Sequence, residues 1–187
     1  MAIGAERIAA VILAAGLSRR FGDGDKLVAP LHGRPLALNI AETLRDIPFA
    51  ARFAVIGRSD PGYGAYGYRL VPNAEPERGM ALSLKLGMAA ASATDALAVL
   101  VLLADMPAVP ACHIADLLAR FDGGPLGSRA GGHISPPALF PRARFDALMR
   151  LEGDAGARAL LRDAEAIDAP RSWLADVDTP DDLARLG

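Results

Sequence analysis

The chain is poor in the residues that several common chemistries need. Its single cysteine, Cys112, excludes an intramolecular disulfide framework and a cysteine-built zinc cage, and it fits a reducing compartment. Three histidines, His32, His113 and His133, are scattered without metal-ligand spacing, so each reads first as a solvated or packed imidazole. No apolar run approaches the roughly 18 residues that would span a bilayer. Glu6 and Arg7 precede a short apolar run, which is not the order of a signal peptide. The expectation is a cytoplasmic protein with no membrane partner. A formal net charge of −2 supplies no global field to draw in nucleic acid. Ser18, Ser83 and Ser135 lie in no G-x-S-x-G elbow, so an acyl-transfer triad is unsupported. Gly16-Leu-Ser-Arg-Arg-Phe21 matches neither the P-loop pattern nor G-x-G-x-x-G, which disfavours an oxidoreductase of the dinucleotide-binding type.

What is present is a folded α/β pattern. Hydrophobic residues make up 52% and charged residues 22% of 187, enough for one domain, residues 1–187, with a sizeable core. Apolar strand-like runs alternate with amphipathic helical ones, which predicts a mainly parallel central sheet. Ile8–Leu13 and Ala98–Leu103 are apolar throughout, as strands covered on both faces should be. Phe53–Ile56 and Arg69–Val71 read as further strands. Helical spacing predicts helices over Pro35–Asp46, Gly79–Ala93, Ala111–Phe121, Ala143–Leu151 and Asp154–Arg162. Residues 59–68 carry turn chemistry and read as a surface connection whose tyrosines pack locally. Residues 122–141, rich in Gly and Pro, read as hairpin or loop. A short extended piece is expected through Trp173-Leu174, and Thr179-Pro180 resembles a cap and first helical residue.

In an open parallel sheet, ligands bind beyond the carboxyl ends of the strands. Three candidates leave strands there: the loop from Gly16 to Lys26, Asn73, and Asp105. The loop combines small residues with Arg19, Arg20 and Lys26, so its backbone N–H groups and fixed charge suit a phosphate. An ordinary strand-to-helix connection with solvated bases is the alternative. Asp105 directly follows an all-apolar strand and must be paired, solvated in a cleft or bound to a cation. Facing a phosphate loop it suits Mg²⁺; a turn aspartate before Met106-Pro107 is equally open. Asp176 and Asp178 offer a second carboxylate, whereas Asp181 and Asp182 fall in the first turn of the last helix, where the dipole favours them.

Leu13-Ala-Ala-Gly-Leu-Ser-Arg-Arg-Phe-Gly22, then Asp25-Lys-Leu27 and Pro30-Leu-His-Gly-Arg-Pro-Leu36, resembles the signature of Rossmann-like nucleotidyltransferases. The closest likeness is to the MobA-like group that makes dinucleotide forms of the molybdenum cofactor. Gly79-Met80, Ala104-Asp-Met-Pro107, Gly153-Asp-Ala-Gly-Ala-Arg158 and Asp176-Val-Asp-Thr-Pro-Asp-Asp-Leu183 recur in the same order. The resemblance implies a three-layer fold and transfer of a nucleotidyl group to a phosphorylated acceptor with loss of pyrophosphate. It implies that Leu13, Ala14, Ala15 and Gly16 hold the nucleotide, and Arg20 and Lys26 the triphosphate. Asp105 would bind Mg²⁺ with Asp178, or Asp176, as second ligand. Asn73 and the Gly79–Ser83 turn would contact base, ribose or acceptor. The Leu13-Ala-Ala-Gly16 form resembles the cytidylyl branch, which implies CTP as donor, molybdopterin as acceptor and a molybdenum hydroxylase as client. Gly79-Met-Ala-Leu-Ser-Leu84 and Gly132-His-Ile-Ser-Pro-Pro137 depart from that branch. They keep open guanylyl transfer, another phosphorylated acceptor, or a non-enzymatic cofactor-binding accessory role.

Overall fold

The computed structural model describes residues 3–22, 24–152, 161–162 and 164–187. Its centre is a seven-stranded sheet. The strands are β1 (Ile8–Ala14), β4 (Ala51–Ile56), β5 (Arg69–Pro72), β6 (Ala98–Leu103), β7 (Leu126–Ala130), β8 (His133–Pro141) and β9 (Glu165–Asp168). A two-stranded hairpin, β2 (Pro30–Leu31) and β3 (Arg34–Pro35), stands apart from it. The order across the sheet is β5-β4-β1-β6-β8-β7-β9. Only β8 runs against the rest, pairing antiparallel with both β6 and β7. The mostly parallel α/β architecture expected from the sequence is the one adopted.

β1 shows why the chain makes three layers. All seven of its residues are buried, and successive side chains point to opposite faces. Ile8, Ala10 and Ile12 join a core with α1 (Leu38–Thr43) and α3 (Ala111–Arg120), through Ile40, Ile114 and Leu117. Ala9, Val11 and Leu13 join a second core with α2 (Met80–Ser92) and α4 (Phe145–Met149), through Leu84, Met88 and Leu148. α2 sits unusually close to the sheet. A Cβ at Gly87 would lie 2.5 Å from Val11 Cγ1 and 3.0 Å from a Val55 methyl. α5 (Pro180–Ala184) closes the chain under a capping box between Thr179 and Asp182, as the Thr-Pro signal predicts.

Three sequence expectations need correction. The first helix begins at Leu38 rather than Pro35, because Pro35 pairs with Pro30 across the β2–β3 hairpin. The turn between them, His32 and Gly33, has φ of 51° and 77°, the left-handed pair that a tight hairpin needs. Residues 59–68 are not simply a surface connection. Tyr63 has no exposed surface and Tyr68 is buried, and the Tyr63 hydroxyl donates to the Ala37 carbonyl at 3.0 Å. Burial holds the Tyr63 phenol well above its ordinary pKa. The extended piece near Trp173 is a turn. The strand of that region is instead β9, which pairs parallel with β7. The helix expected over Asp154–Arg162, and the Gly153–Arg158 motif, lie almost wholly outside the described residues.

Candidate active site

β1 and β6 are adjacent and parallel, with Leu13 opposite Leu103. Their exits therefore emerge side by side: Ala104 N–H donates to the Leu13 carbonyl at 3.1 Å. That bond sets Asp105 beside the start of the Gly16 loop. The tail reaches the same place, because Val177 N–H donates to the Asp105 carbonyl at 2.9 Å. Asp182 accepts from the backbone N–H of both Asp178 and Thr179, at 3.2 and 2.9 Å. The final cap thus aims Asp178 inward.

At that meeting point four charged side chains form a chain of ion pairs. Lys26 Nζ donates to Asp105 Oδ2 at 2.8 Å and to Asp178 Oδ1 at 3.1 Å. Arg20 Nη1 donates to Asp178 Oδ2 at 2.7 Å. Lys26 is only 5% exposed. Burial alone would lower the pKa of its ammonium, but the charges and hydrogen bonds of Asp105 and Asp178 outweigh that and raise it. Lys26 is therefore a fixed cation.

A cleft of about 400 Å³ opens over these groups. Of the residues singled out in the sequence, it brings together Leu13, Ala15, Gly16, Arg20, Lys26, Gly79, Ser83, Asp105 and Asp178. It leaves out two. Ala14 points into the core on the α1 and α3 side. Asn73 is buried: its amide donates to Ser83 Oγ at 2.9 Å, and its carbonyl oxygen accepts from Glu75 N–H at 3.0 Å. Asn73 therefore orients Ser83 and the turn before α2 instead of facing the cleft. Between Asp176 and Asp178, the cleft takes Asp178.

Sequence reasoning missed Glu77 at the cleft lip; a glutamate in a turn carries no signal of its own. It also missed Ser59 and the second role of Ser18, described below. His113 is packed rather than catalytic. Its Nε2 meets Ser128 Oγ at 2.8 Å, and that hydroxyl donates to the Pro137 carbonyl at 2.7 Å. Burial lowers its pKa.

The donor set bears on a metal. Among the described residues no group of three or more His, Cys, Asp or Glu side chains is placed to hold one. Two carboxylates drawn together on one ammonium fit a cation that takes one or two carboxylates and completes its shell with phosphate oxygens and water. They do not fit a metal caged wholly by protein. No helix among the described residues is long and apolar enough to cross a membrane.

Known proteins share this framework. Residues 10–169 match the model of the MobA-like NTP transferase domain. Nicotine blue oxidoreductase of Paenarthrobacter nicotinovorans is 32% identical, over 96% of each chain. A molybdenum cofactor guanylyltransferase of Rhodobacter capsulatus is 31% identical, over 96% of this chain and 94% of that one. Among solved structures, a homologue of Mycobacterium tuberculosis rv0371c from Mycobacterium sp. strain JC1 superposes with a TM-score of 0.80. It is 27% identical and is matched over 97% of this chain and 95% of its own. The M. tuberculosis Rv0371C structure in complex with manganese has the same fold, at 24% identity and a TM-score of 0.75, matched over 96% of this chain and 97% of its own. With that span and these strand-edge groups, the chain belongs to the MobA-like NTP transferase family.

Proposed function

We propose that the cleft transfers a nucleotidyl group from a nucleoside triphosphate to a phosphorylated, molybdopterin-type acceptor. The observation that carries this is the buried Lys26 ammonium shared by Asp105 and Asp178 at the exits of two parallel strands. An acceptor phosphate oxygen forms the new bond to the α-phosphorus, the bond from that phosphorus to the β-phosphate oxygen breaks, and pyrophosphate leaves. No protein nucleophile takes part, in keeping with the absence of a triad. Lys26 and Arg20 hold the triphosphate oxygens, and Leu13, Ala15 and Gly16 form the wall against the nucleoside. Ser83, oriented by Asn73, offers a hydroxyl from the first turns of α2. Asp105 and Asp178 would hold a divalent cation, Mg²⁺ or Mn²⁺, which when bound spreads the charge developing on the phosphates.

GTP leads CTP as donor. The relatives that carry the name molybdenum cofactor guanylyltransferase support it, whereas the CTP expectation rested on the resemblance of Leu13-Ala-Ala-Gly16 to the cytidylyl branch. The likeness to a protein named as an oxidoreductase has no counterpart in a dinucleotide fingerprint here. The test is pyrophosphate release with each of the four NTPs against molybdopterin, in the presence of Mg²⁺ or Mn²⁺. Release with GTP above the other three supports the proposal. Release with CTP above GTP would restore the cytidylyl assignment, and no release with any pair would remove the enzymatic one.

A further inference from the structure

Among its described residues, the loop that carries Arg20 and Lys26 has little backbone bonding of its own. Within it, Phe21 N–H reaches the Ser18 carbonyl at 2.9 Å, and Ser18 stands at φ 51°, a left-handed conformation that side chains other than glycine adopt at a cost. One carboxylate gathers this loop. Asp25 Oδ1 accepts from Ser18 Oγ and from Leu27 N–H, each at 3.0 Å. Asp25 Oδ2 accepts from Ser59 Oγ, in the connection that leaves β4. Ser18 Oγ in turn accepts from Lys26 N–H at 3.2 Å. That connection is held close to the β1 exit, since a Cβ at Gly57 would lie 3.2 Å from Ala15 Cα.

Asp25 makes no ion pair with any described Arg or Lys, although Arg19, Arg20 and Lys26 are close in sequence; the donors it accepts from are two hydroxyls and a backbone N–H. A carboxylate left in a phosphate loop without a cation opposes the binding of a triphosphate, so its charge has no direct use there. Its geometry does. It clamps the residue before Lys26 to the loop on one side and to the neighbouring strand exit on the other. The ammonium is then delivered between Asp105 and Asp178 with little freedom left to lose. We infer that Asp25 is a positioning residue, a brace between Ser18 and Ser59 that holds Lys26 at the triphosphate site. The inference rests on the nucleotidyl-transfer proposal for its purpose but not for its first test.

That test needs no nucleotide. The chain has two lysines, Lys26 and Lys85, so acetic anhydride labelling read by mass spectrometry gives Lys26 reactivity against an internal reference. In Asp25→Ala the Lys26:Lys85 labelling ratio rises roughly tenfold, the scale of a lost charge-assisted contact. In Asp25→Asn it stays near the original value, because the amide oxygen can accept from Ser18 and Leu27 while its nitrogen donates to Ser59. Ser59→Ala, which removes a single bond and leaves the loop otherwise intact, gives an intermediate ratio. An unchanged ratio in both Asp25→Ala and Ser59→Ala overturns the brace, as does a parallel rise at both lysines, the mark of general loosening. The second arm measures binding of GTP and of CTP with Mg²⁺. Asp25→Ala weakens binding about tenfold and Asp25→Asn restores most of it. If the labelling ratio responds but the unaltered protein binds neither nucleotide, the brace stands and the proposed function falls.

Discussion

Replacing Asp105 with Asn changes one atom's identity and one unit of charge at the centre of the site. At 2.8 Å from Lys26 Nζ, the carboxylate contributes about 6 kcal/mol of gross attraction at an effective dielectric near 20. Desolvation of the ammonium and the partial exposure of Asp105 leave a net of about 1–3 kcal/mol. The Asn oxygen still accepts from Lys26, and Asp178 remains, so the variant folds and melts roughly 3–8 °C lower. Turnover responds far more. Losing a ligand for the cation that balances the phosphates lowers kcat by about a hundredfold or more. Nucleotide affinity measured in EDTA does not fall, because Lys26 then faces one carboxylate fewer. Pyrophosphate release, thermal melting and metal-free nucleotide binding, taken on one preparation, separate these effects. Near-normal release in Asp105→Asn, with the metal requirement unchanged, would refute the assignment of Asp105 as a cation ligand.

Three other outcomes are expected. Because Lys26 and Arg20 engage the carboxylates, Mn²⁺ binds weakly to the nucleotide-free protein by electron paramagnetic resonance. Lys26→Ala binds Mn²⁺ alone at least about tenfold more tightly while losing turnover; equal Mn²⁺ affinity in the two proteins would show that the ammonium does not compete. His113, with its pKa lowered by burial, binds fewer protons folded than unfolded. Stability is therefore full above about pH 6.5, the unfolded value, and is lost as pH falls through the lower folded value. His113→Gln flattens that part of the profile, and an imidazole midpoint above 6.5 by NMR would contradict it. Gly87→Ala adds a methyl that meets Val11 and Val55. Despite the better helix propensity of Ala, it destabilises by about 1–2 kcal/mol in a denaturant titration, and a stabilised variant would show that α2 can lift off the sheet.

The legible parts of the fold were those whose local signal agrees with their tertiary role. Ala98–Leu103 is all apolar and all strand, and Thr179-Pro180 caps the helix it predicts. Pro35 misled because it is equally at home in a hairpin strand and in the first turn of a helix, and the choice depends on its pairing with Pro30. β9 gave no signal, since Glu-Ala-Ile-Asp lies at the sheet edge and buries only Ile167. In the site, Asp105 could be picked by its place directly after an apolar strand, Lys26 by its place at the end of the loop that leaves β1, and Asp178 only through the resemblance carried by the Asp176–Leu183 motif. Ser59 could not, because it meets Asp25 only when the exits of β1 and β4 are folded together. Asn73 was found, but as a cleft residue, and its burial behind Ser83 is a matter of packing that composition does not carry.

The charges lining the cleft also govern how a ligand arrives. Arg19, Arg20 and Lys26 are positive, and Glu77, Asp105 and Asp178 are negative, three of each, so the open cleft presents no net charge. The chain as a whole adds only −2. A highly charged triphosphate is thus not drawn in from a distance. Its association rate belongs in the unassisted range of about 10⁵–10⁷ M⁻¹s⁻¹ and changes little with ionic strength. On the proposed nucleotidyl-transfer function, discrimination among nucleotides then rests on how long each stays after contact, as the lysine and arginine would exchange carboxylate partners for phosphate ones.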